Sequence, residues 1–186
     1  MNCVKKCLLR NSFIFIYCFF GFSTQLHAAD TLIISDKQDV YPLAQYFSIL
    51  EDPSNELSIE DVRQNKFANR FSKFINTNQR LGFSSSTFWL RLNVINNSGK
   101  TEKWLLQHNY SNTQSIDAFF EFNNYKIQRS GTSIPLALRS MPLREIVFSA
   151  DLTTNKQQTF YIRIQSQGVI NLDIDLLEQQ TFIKNN

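Results

Sequence analysis

The chain has 186 residues and a formal net charge of +3, from 19 basic and 16 acidic residues. Its five glycines form no glycine-rich phosphate loop, so the sequence excludes the common nucleotide-binding loops. The length suits one domain with an ordinary hydrophobic core.

The first 28 residues have the pattern of a secretory signal peptide. Lys5, Lys6 and Arg10 precede an apolar run of ten residues, FIFIYCFFGF. That run is shorter than the roughly 20 residues needed to span a bilayer. A polar stretch then leads to LHAAD, and cleavage is expected after Ala28. The sequence therefore predicts a periplasmic or secreted protein.

Loss of residues 1–28 would change the available chemistry. This segment contains all three cysteines, one of the two histidines and three basic residues, but no acidic residue. The remainder is formally neutral and its only histidine is His108. Disulfides, Cys/His dyads and multi-histidine metal sites are excluded on this basis, and nothing supports nucleic-acid binding. We expect a protein that is not an enzyme, with no catalytic residue, no metal and no cofactor.

Residues 29–56 are expected to form an N-terminal lead to a domain over residues 57–177, with a C-terminal tail over residues 178–186. The segment SIEDVRQNKFANRF, residues 58–71, predicts one helix. Ser58 and Asp61 have the spacing of a capping box at its start.

From Thr87 onward, the apolar residues have a period of two. In TFWLRLNV they alternate with Trp89 and Arg91, which is typical of a strand with one face in the core. Polar turns separate six further predicted strands: EKWLLQHNY, SIDAFFEF, YKIQRSG, LREIVFSADL, TFYIRIQS and VINLDIDLLE. Seven or eight short strands and about one helix indicate an all-β fold, either a β-sandwich or a jelly roll.

Four segments in order, LGFSSSTFWLRLNVINNS, SID, LRSMPLREIVF and FYIRIQSQG, resemble a known family. It is the type-two extracellular domain of bacterial seven-transmembrane receptors with diverse intracellular signalling modules, the 7TMR-DISM group. The matching positions are Leu81, Gly82, Trp89, Arg91, Asn96, Trp104, Asp117, Arg139, Pro142, Arg144, Tyr161, Arg163, Ser166 and Gly168.

The resemblance implies a periplasmic jelly-roll sensor domain similar to carbohydrate-binding modules. In the family such a domain is normally followed by seven membrane helices and a cytoplasmic output domain. This sequence ends at Asn186 without a further apolar span. We therefore expect no transmembrane segment after signal cleavage, and either an independent periplasmic protein or a fragment of a receptor.

Two strands carry nearly the same pattern, TFWLRLNV and TFYIRIQS. Alternation places Trp89 and Arg91 on one face of the first, and Tyr161 and Arg163 on one face of the second. If the strands are neighbours, these rings and guanidinium groups form a platform suited to a sugar or sugar acid. The alternative is a structural role, in which each arginine lies over a ring and pairs with a carboxylate. Candidates for that carboxylate are Asp117, Asp173 and Glu145.

The proline-containing stretch PLALRSMPLREIVF, residues 135–148, is a second candidate for ligand contact. Its prolines favour a loop or edge conformation, and Arg139 and Arg144 would then be donors at a rim. The alternative is an edge strand protected from pairing by proline and charge.

Four further residues have simpler predictions. Trp104 is expected in the core, and Asp117 in an ionic contact with an arginine. Asp173 and Asp175 could hold a calcium ion, but the sequence lacks the Asp/Asn/Gly run of a calcium loop.

These observations together predict a periplasmic sensor domain that binds a small glycan or sugar acid within a 7TMR-DISM-type system. Its signalling partner would be a separately encoded membrane receptor or a second copy of the chain. The alternative is a protein–protein interaction or dimerisation module.

Overall fold

The computed structural model describes residues 30–75, 78–98 and 103–185. The predicted signal peptide lies outside the described residues. In chain order the strands are β1 Thr31–Ile34, β2 Val40–Pro42, β3 Ser48–Asp52, β4 Ser72–Lys73, β5 Arg80–Phe83, β6 Thr87–Asn96, β7 Lys103–His108, β8 Ser115–Phe120, β9 Gln128–Ser130, β10 Ile146–Asp151, β11 Gln157–Gln165, β12 Val169–Asn171 and β13 Ile174–Glu178. The helices are α1 Ile59–Val62, α2 Asn65–Ala68 and α3 Gln179–Asn185. Single 3-10 turns span Ala44–Tyr46, Glu121–Asn123 and Leu136–Leu138.

Two sheets of antiparallel strands form the body of the protein. The larger has the order β4-β3-β6-β11-β8-β9, and β1 pairs in parallel with the C-terminal end of β6. The smaller has the order β10-β7-β13-β2, and β12 and β5 form a separate ribbon. The protein is mostly β with antiparallel sheets, which is consistent with the predicted all-β sandwich.

The main hydrophobic core draws side chains from both sheets. The predicted inward row of β6 is buried here, with Leu90 and Leu92 beside Phe160 of β11. Trp104 and Phe148 come from the smaller sheet and are also buried, which confirms the prediction for Trp104. Because one face of each sheet lies in this core, the alternation in the sequence marks inner and outer faces.

Two predicted elements are wrong in detail. The single helix over residues 58–71 is two short helices, because Gln64 between them has an extended backbone with ψ 146°. The capping box is confirmed, since Ser58 and Asp61 bond each other's backbone N–H. The segment VINLDIDLLE also breaks at Leu172 and Asp173, so it supplies β12 and β13 to different sheets.

The regions outside the predicted strands are more ordered than their sequence suggests. Residues 29–56 carry β1 and β3, which pair with β6, and β2, which pairs with β13. The tail over residues 178–186 contains α3, whose Phe182 packs with Leu105 and Val147 on the outer face of the smaller sheet. These pairings join positions distant in sequence, and their short segments have weak local patterns.

Gly131 follows β9 and has a backbone conformation, φ +122°, that L-residues rarely adopt. A Cβ at this position would lie 2.4 Å from the backbone oxygen of Gln114, which is held in place by the N–H of Ser133. We expect Gly131→Ala to destabilise the protein by about 2 kcal/mol, from backbone strain and this clash. Urea unfolding measures the effect.

Gly168→Ala is the matched control, because its Cβ would meet only the Ser166 hydroxyl at 3.6 Å. A change within about 0.5 kcal/mol is expected there. Equal losses for the two variants would contradict the conformational argument.

A candidate ligand-binding face on the large sheet

The two similar strands of the sequence are neighbours in the larger sheet. Strands β6 and β11 are antiparallel, with Trp89 opposite Arg163 and Arg91 opposite Tyr161. Residues directly opposite on paired strands point to the same face. The four side chains therefore share the outer face of the sheet, as they must if they are to form one site.

One row of side chains crosses five strands of this face. The strand register aligns Arg129 of β9, Asp117 of β8, Arg163 of β11, Trp89 of β6 and Leu50 of β3. The row begins with three charged groups and ends with two apolar ones. This division separates a polar half of the face from an apolar half.

The polar half is organised by Asp117. Its side chain is only 3 % exposed, and its Oδ2 accepts hydrogen bonds from Nε and Nη2 of Arg163 at 3.0 and 2.5 Å. Nε of Arg129 lies 3.5 Å from the other carboxylate oxygen. The two arginine side chains keep 34 % and 55 % of their surfaces exposed. The predicted ionic contact of Asp117 with an arginine is present, and both arginine side chains remain partly exposed.

The apolar half is covered by the two short helices. Trp89 is fully buried, and its ring stacks on Phe119 with centroids 5.6 Å apart. Val62 of α1 and Phe67 of α2 pack in the same cluster. A ligand contact with the Trp89 ring would therefore require the helices to move away.

Local hydrogen bonds explain why the chain turns back over this face after β3. The buried carboxylate of Asp52 accepts from Ser54 and from the backbone N–H of Leu57. Asn55 has a left-handed backbone, φ 60°, and its side-chain oxygen accepts from the Thr87 hydroxyl. Together these contacts fix the turn that delivers α1 to the sheet.

Arg91 and Tyr161 lie where the helices meet the strands. The Arg91 guanidinium carbon is 4.4 Å from the ring centroid of Phe71, and Nη1 is 3.5 Å from the Ala68 carbonyl oxygen. The Phe71 and Tyr161 rings are edge to face at 6.2 Å. Burial lowers the pKa of Arg91 and raises that of Tyr161. In both cases desolvation disfavours the charged form.

The other two predicted donors belong to the loop between β9 and β10. Arg139 donates to the carbonyl oxygens of Ile134, Leu143 and Arg144, so it braces the loop. The Arg144 side chain is exposed. Ser140 of this loop hydrogen-bonds both backbone groups of Arg129, whereas Met141 and Leu143 pack on the outer face of the smaller sheet. The described contacts of the Arg139 side chain are with its own loop and not with Trp89, Arg91, Tyr161 or Arg163.

The two carboxylates near the start of β13, Asp173 and Asp175, already accept hydrogen bonds from within the protein. The Asn109 amide donates to Asp173 at 3.0 Å and to Asp175 at 2.8 Å. Burial raises the pKa of Asp175. Among the described residues, no group of three or more His, Cys, Asp or Glu side chains is arranged to hold a metal ion.

Three residues that belong to this face are not among the site residues predicted from the sequence, namely Arg63, Tyr125 and Arg129. Arg129 lies on β9. Because its side chain and that of Gln128 point to opposite faces of the strand, the period of two could have indicated that Arg129 lies on the same face as Asp117. Arg63 follows α1, and Tyr125 follows the turn after β8; neither lies in a segment with a periodic sequence pattern.

Elsewhere on the surface, an open cavity of about 540 Å³ is lined by Asn78, Arg80, Leu81 and Gly82.

Comparison with known proteins adds one strong finding. The family model described as 7TMR-DISM extracellular 2 matches residues 44–178. No curated protein gives a significant match to the sequence. Within the part of the chain that the structure describes, no helix is long and apolar enough to cross a membrane. Since the match spans β3 to β13, including the whole face described above, the chain belongs to the 7TMR-DISM extracellular 2 family of receptor sensor domains.

Proposed function

We propose that this chain is the periplasmic ligand-binding part of a 7TMR-DISM-type signalling system and that its ligand is a small glycan or sugar acid. We also propose that its two packed sheets form a jelly roll similar to carbohydrate-binding modules. The family membership and the antiparallel two-sheet architecture support both statements. The bound state would be relayed through a membrane partner or through a second copy of the chain.

The observation that carries this proposal is the charged row Arg129–Asp117–Arg163. A buried carboxylate holds Arg163 in a fixed orientation and attracts Arg129 to its other oxygen, while both arginine side chains remain partly exposed. Donors held in this way lose little conformational freedom when a ligand binds. Their planar N–H groups match hydroxyl and carboxylate oxygens.

The neighbouring rings suit the apolar faces of a sugar. Tyr161, which is only 7 % exposed, lies one row from Arg163 on the same strand, and the half-buried Tyr125 is 6.0 Å from it between ring centroids. Aromatic side chains with a polar end are common where one side of a contact is apolar and the other is wet. The exposed part of Tyr125 therefore supplies an aromatic contact, and the charged row supplies the polar contacts that a carbohydrate needs.

A glycan array, followed by thermal-shift and calorimetric titration of the hits, tests the proposal. We expect binding that Arg129→Gln weakens by about tenfold, since a charge-assisted hydrogen bond is lost. Lys37→Gln, which removes one exposed positive charge in the turn before β2, is the control and should bind as the wild type does.

The result can also locate the site. Phe83 is 78 % exposed and follows Gly82 of the open cavity. If Phe83→Ala abolishes binding while Arg129→Gln has no effect, the ligand occupies that cavity and the charged row is not the site. Absence of any hit on the array would remove the sugar from the proposal.

A second candidate function is docking of a protein, and the loop between β9 and β10 favours it. Leu136 and Leu138 are exposed there, after Pro135 and on a single 3-10 turn. Such a projecting apolar turn suits a protein contact. Light scattering that shows a stable dimer, lost in Leu138→Ser, would support this function over ligand binding.

A further inference from the structure

Arg91 has no acidic partner within the described part of the chain. Its Nε is buried and makes no hydrogen bond, and its only described contact with an oxygen is the 3.5 Å approach of Nη1 to the Ala68 carbonyl. Arg163, one strand away, is held by two hydrogen bonds to Asp117. A half-buried guanidinium without a counter-charge is unfavourable, because burial removes hydration that no carboxylate replaces.

The groups around Arg91 add further donors and positive charge. Tyr161 lies directly opposite on β11. The Arg63 guanidinium stacks 3.7 Å above the Tyr125 ring, which in turn is 6.0 Å from Tyr161. Burial raises the pKa of Tyr161, the charges of Arg91 and Arg63 lower it, and the charge of Glu121 raises it. Both guanidinium groups therefore act on the same phenol.

One carboxylate, that of Glu121, acts on both phenols, and it already has partners within the protein. Glu121 accepts the backbone N–H of Thr159 at 3.1 Å and lies 3.5 Å from Nζ of Lys156. Pairwise contacts thus link two arginines and two phenols, and the Glu121 carboxylate near the phenols is already bound to Thr159 and Lys156. This arrangement is chemically complementary to an anion.

We propose that Arg91, Tyr161, Tyr125 and Arg63 form an anion subsite that binds the carboxylate of an acidic sugar. The inference rests on the proposed function and narrows its ligand class from glycans in general to those that carry an acid group. Arg91 binds the carboxylate, Tyr161 donates a second hydrogen bond, and Arg63 at the exposed rim attracts the anion. The Phe71 ring keeps the Arg91 guanidinium in place from the helical side.

The direct test observes Arg91 in the wild-type protein. Its Nε–H resonance is followed by ¹⁵N NMR during titration with sodium D-glucuronate, D-glucose and sodium sulfate, and is assigned with Arg91→Gln. We expect glucuronate and sulfate to shift this resonance, and D-glucose at the same concentration to leave it unchanged. No shift with either anion would overturn the inference.

Variants give a second readout by calorimetry. Arg91→Gln should weaken glucuronate binding at least tenfold, and Arg91→Lys should be intermediate because it keeps the charge but loses the planar fork. Arg70→Gln is the matched control. Arg70 also lies over a phenylalanine ring, Phe67 at 4.8 Å, but it is exposed beyond the end of α2. Wild-type affinity in Arg91→Gln would overturn the inference.

The two proposals fail in different ways. If the array shows glycan binding but neutral and acidic sugars bind equally well, the subsite is wrong and the sensor function stands. If no glycan binds but sulfate still shifts the Arg91 resonance, the sugar ligand is wrong and the anion subsite stands.

Discussion

Replacing Trp89 with alanine is expected to lower the free energy of unfolding by about 3–5 kcal/mol, the usual cost of removing a buried tryptophan ring. Trp89 is fully buried between the sheet and the helical cover, and it stacks on Phe119. Its loss leaves a cavity beneath α1 and α2. Urea unfolding at pH 7.5 measures the change.

The milder variant Trp89→Phe separates the contribution of the apolar ring to stability from that of the indole N–H. The indole Nε1 of Trp89 is buried and has no hydrogen-bond partner in the described structure. Trp89→Phe keeps most of the apolar volume and removes that unpaired N–H, so we expect a loss below about 2 kcal/mol. Phe83→Ala, at an exposed position, should change stability by less than about 0.5 kcal/mol. A cost below 1 kcal/mol for Trp89→Ala would show that the helices do not depend on this ring.

Acidification is expected to destabilise the protein through His108. This side chain is buried at the end of β7, with Nε2 2.7 Å from the Thr113 hydroxyl and Nδ1 3.1 Å from the Asp173 carbonyl oxygen. Since a carbonyl only accepts, Nδ1 carries the proton and Nε2 accepts from Thr113. Burial lowers the pKa of His108 from 6.5 to about 4.

The direction of this change in stability with pH follows from proton binding at His108. Between pH 6.5 and about 4 the unfolded chain binds a proton at His108 and the folded chain does not, so acid favours unfolding. The stabilising contribution is complete above pH 6.5 and falls as the pH drops, by about 2 kcal/mol at pH 5 and about 3 kcal/mol at pH 4. Below about pH 3, where both states are protonated, this contribution changes no further.

Urea unfolding from pH 7.5 to pH 5 tests this dependence. His108→Gln provides the reference, because its amide can replace the neutral imidazole but does not titrate. The variant should be less stable at pH 7.5 and should have a flatter pH profile than the wild type. Parallel profiles for the two proteins would assign the acid sensitivity to other groups.

Much of the sheet framework is visible in the sequence because it depends on local alternation. The strand around Trp89 and Arg91 and its counterpart around Tyr161 and Arg163 lie where the period of two predicts. Their inward residues are in the core. The capping box of Ser58 is likewise a local pattern.

The candidate site is less visible, because it depends on contacts between distant segments. Arg91 meets Phe71 of the helical cover, and Arg63 meets Tyr125 from beyond β8. Neither pair has a fixed spacing along the chain. The burial of Trp89 has the same origin, since its position in an alternating strand does not tell whether the outer face is open or covered.

The sequence by itself determined the β-rich class, the family and the side of each strand on which the aromatic and arginine residues lie. Side-chain alternation and residue order are properties of the chain alone. Only the tertiary structure decided that β6 and β11 are neighbours, that Asp117 engages Arg163, and that Arg91 has no carboxylate partner among the described residues. Strand pairing and burial join residues far apart in sequence, and the lowest free energy over all such contacts selects among them.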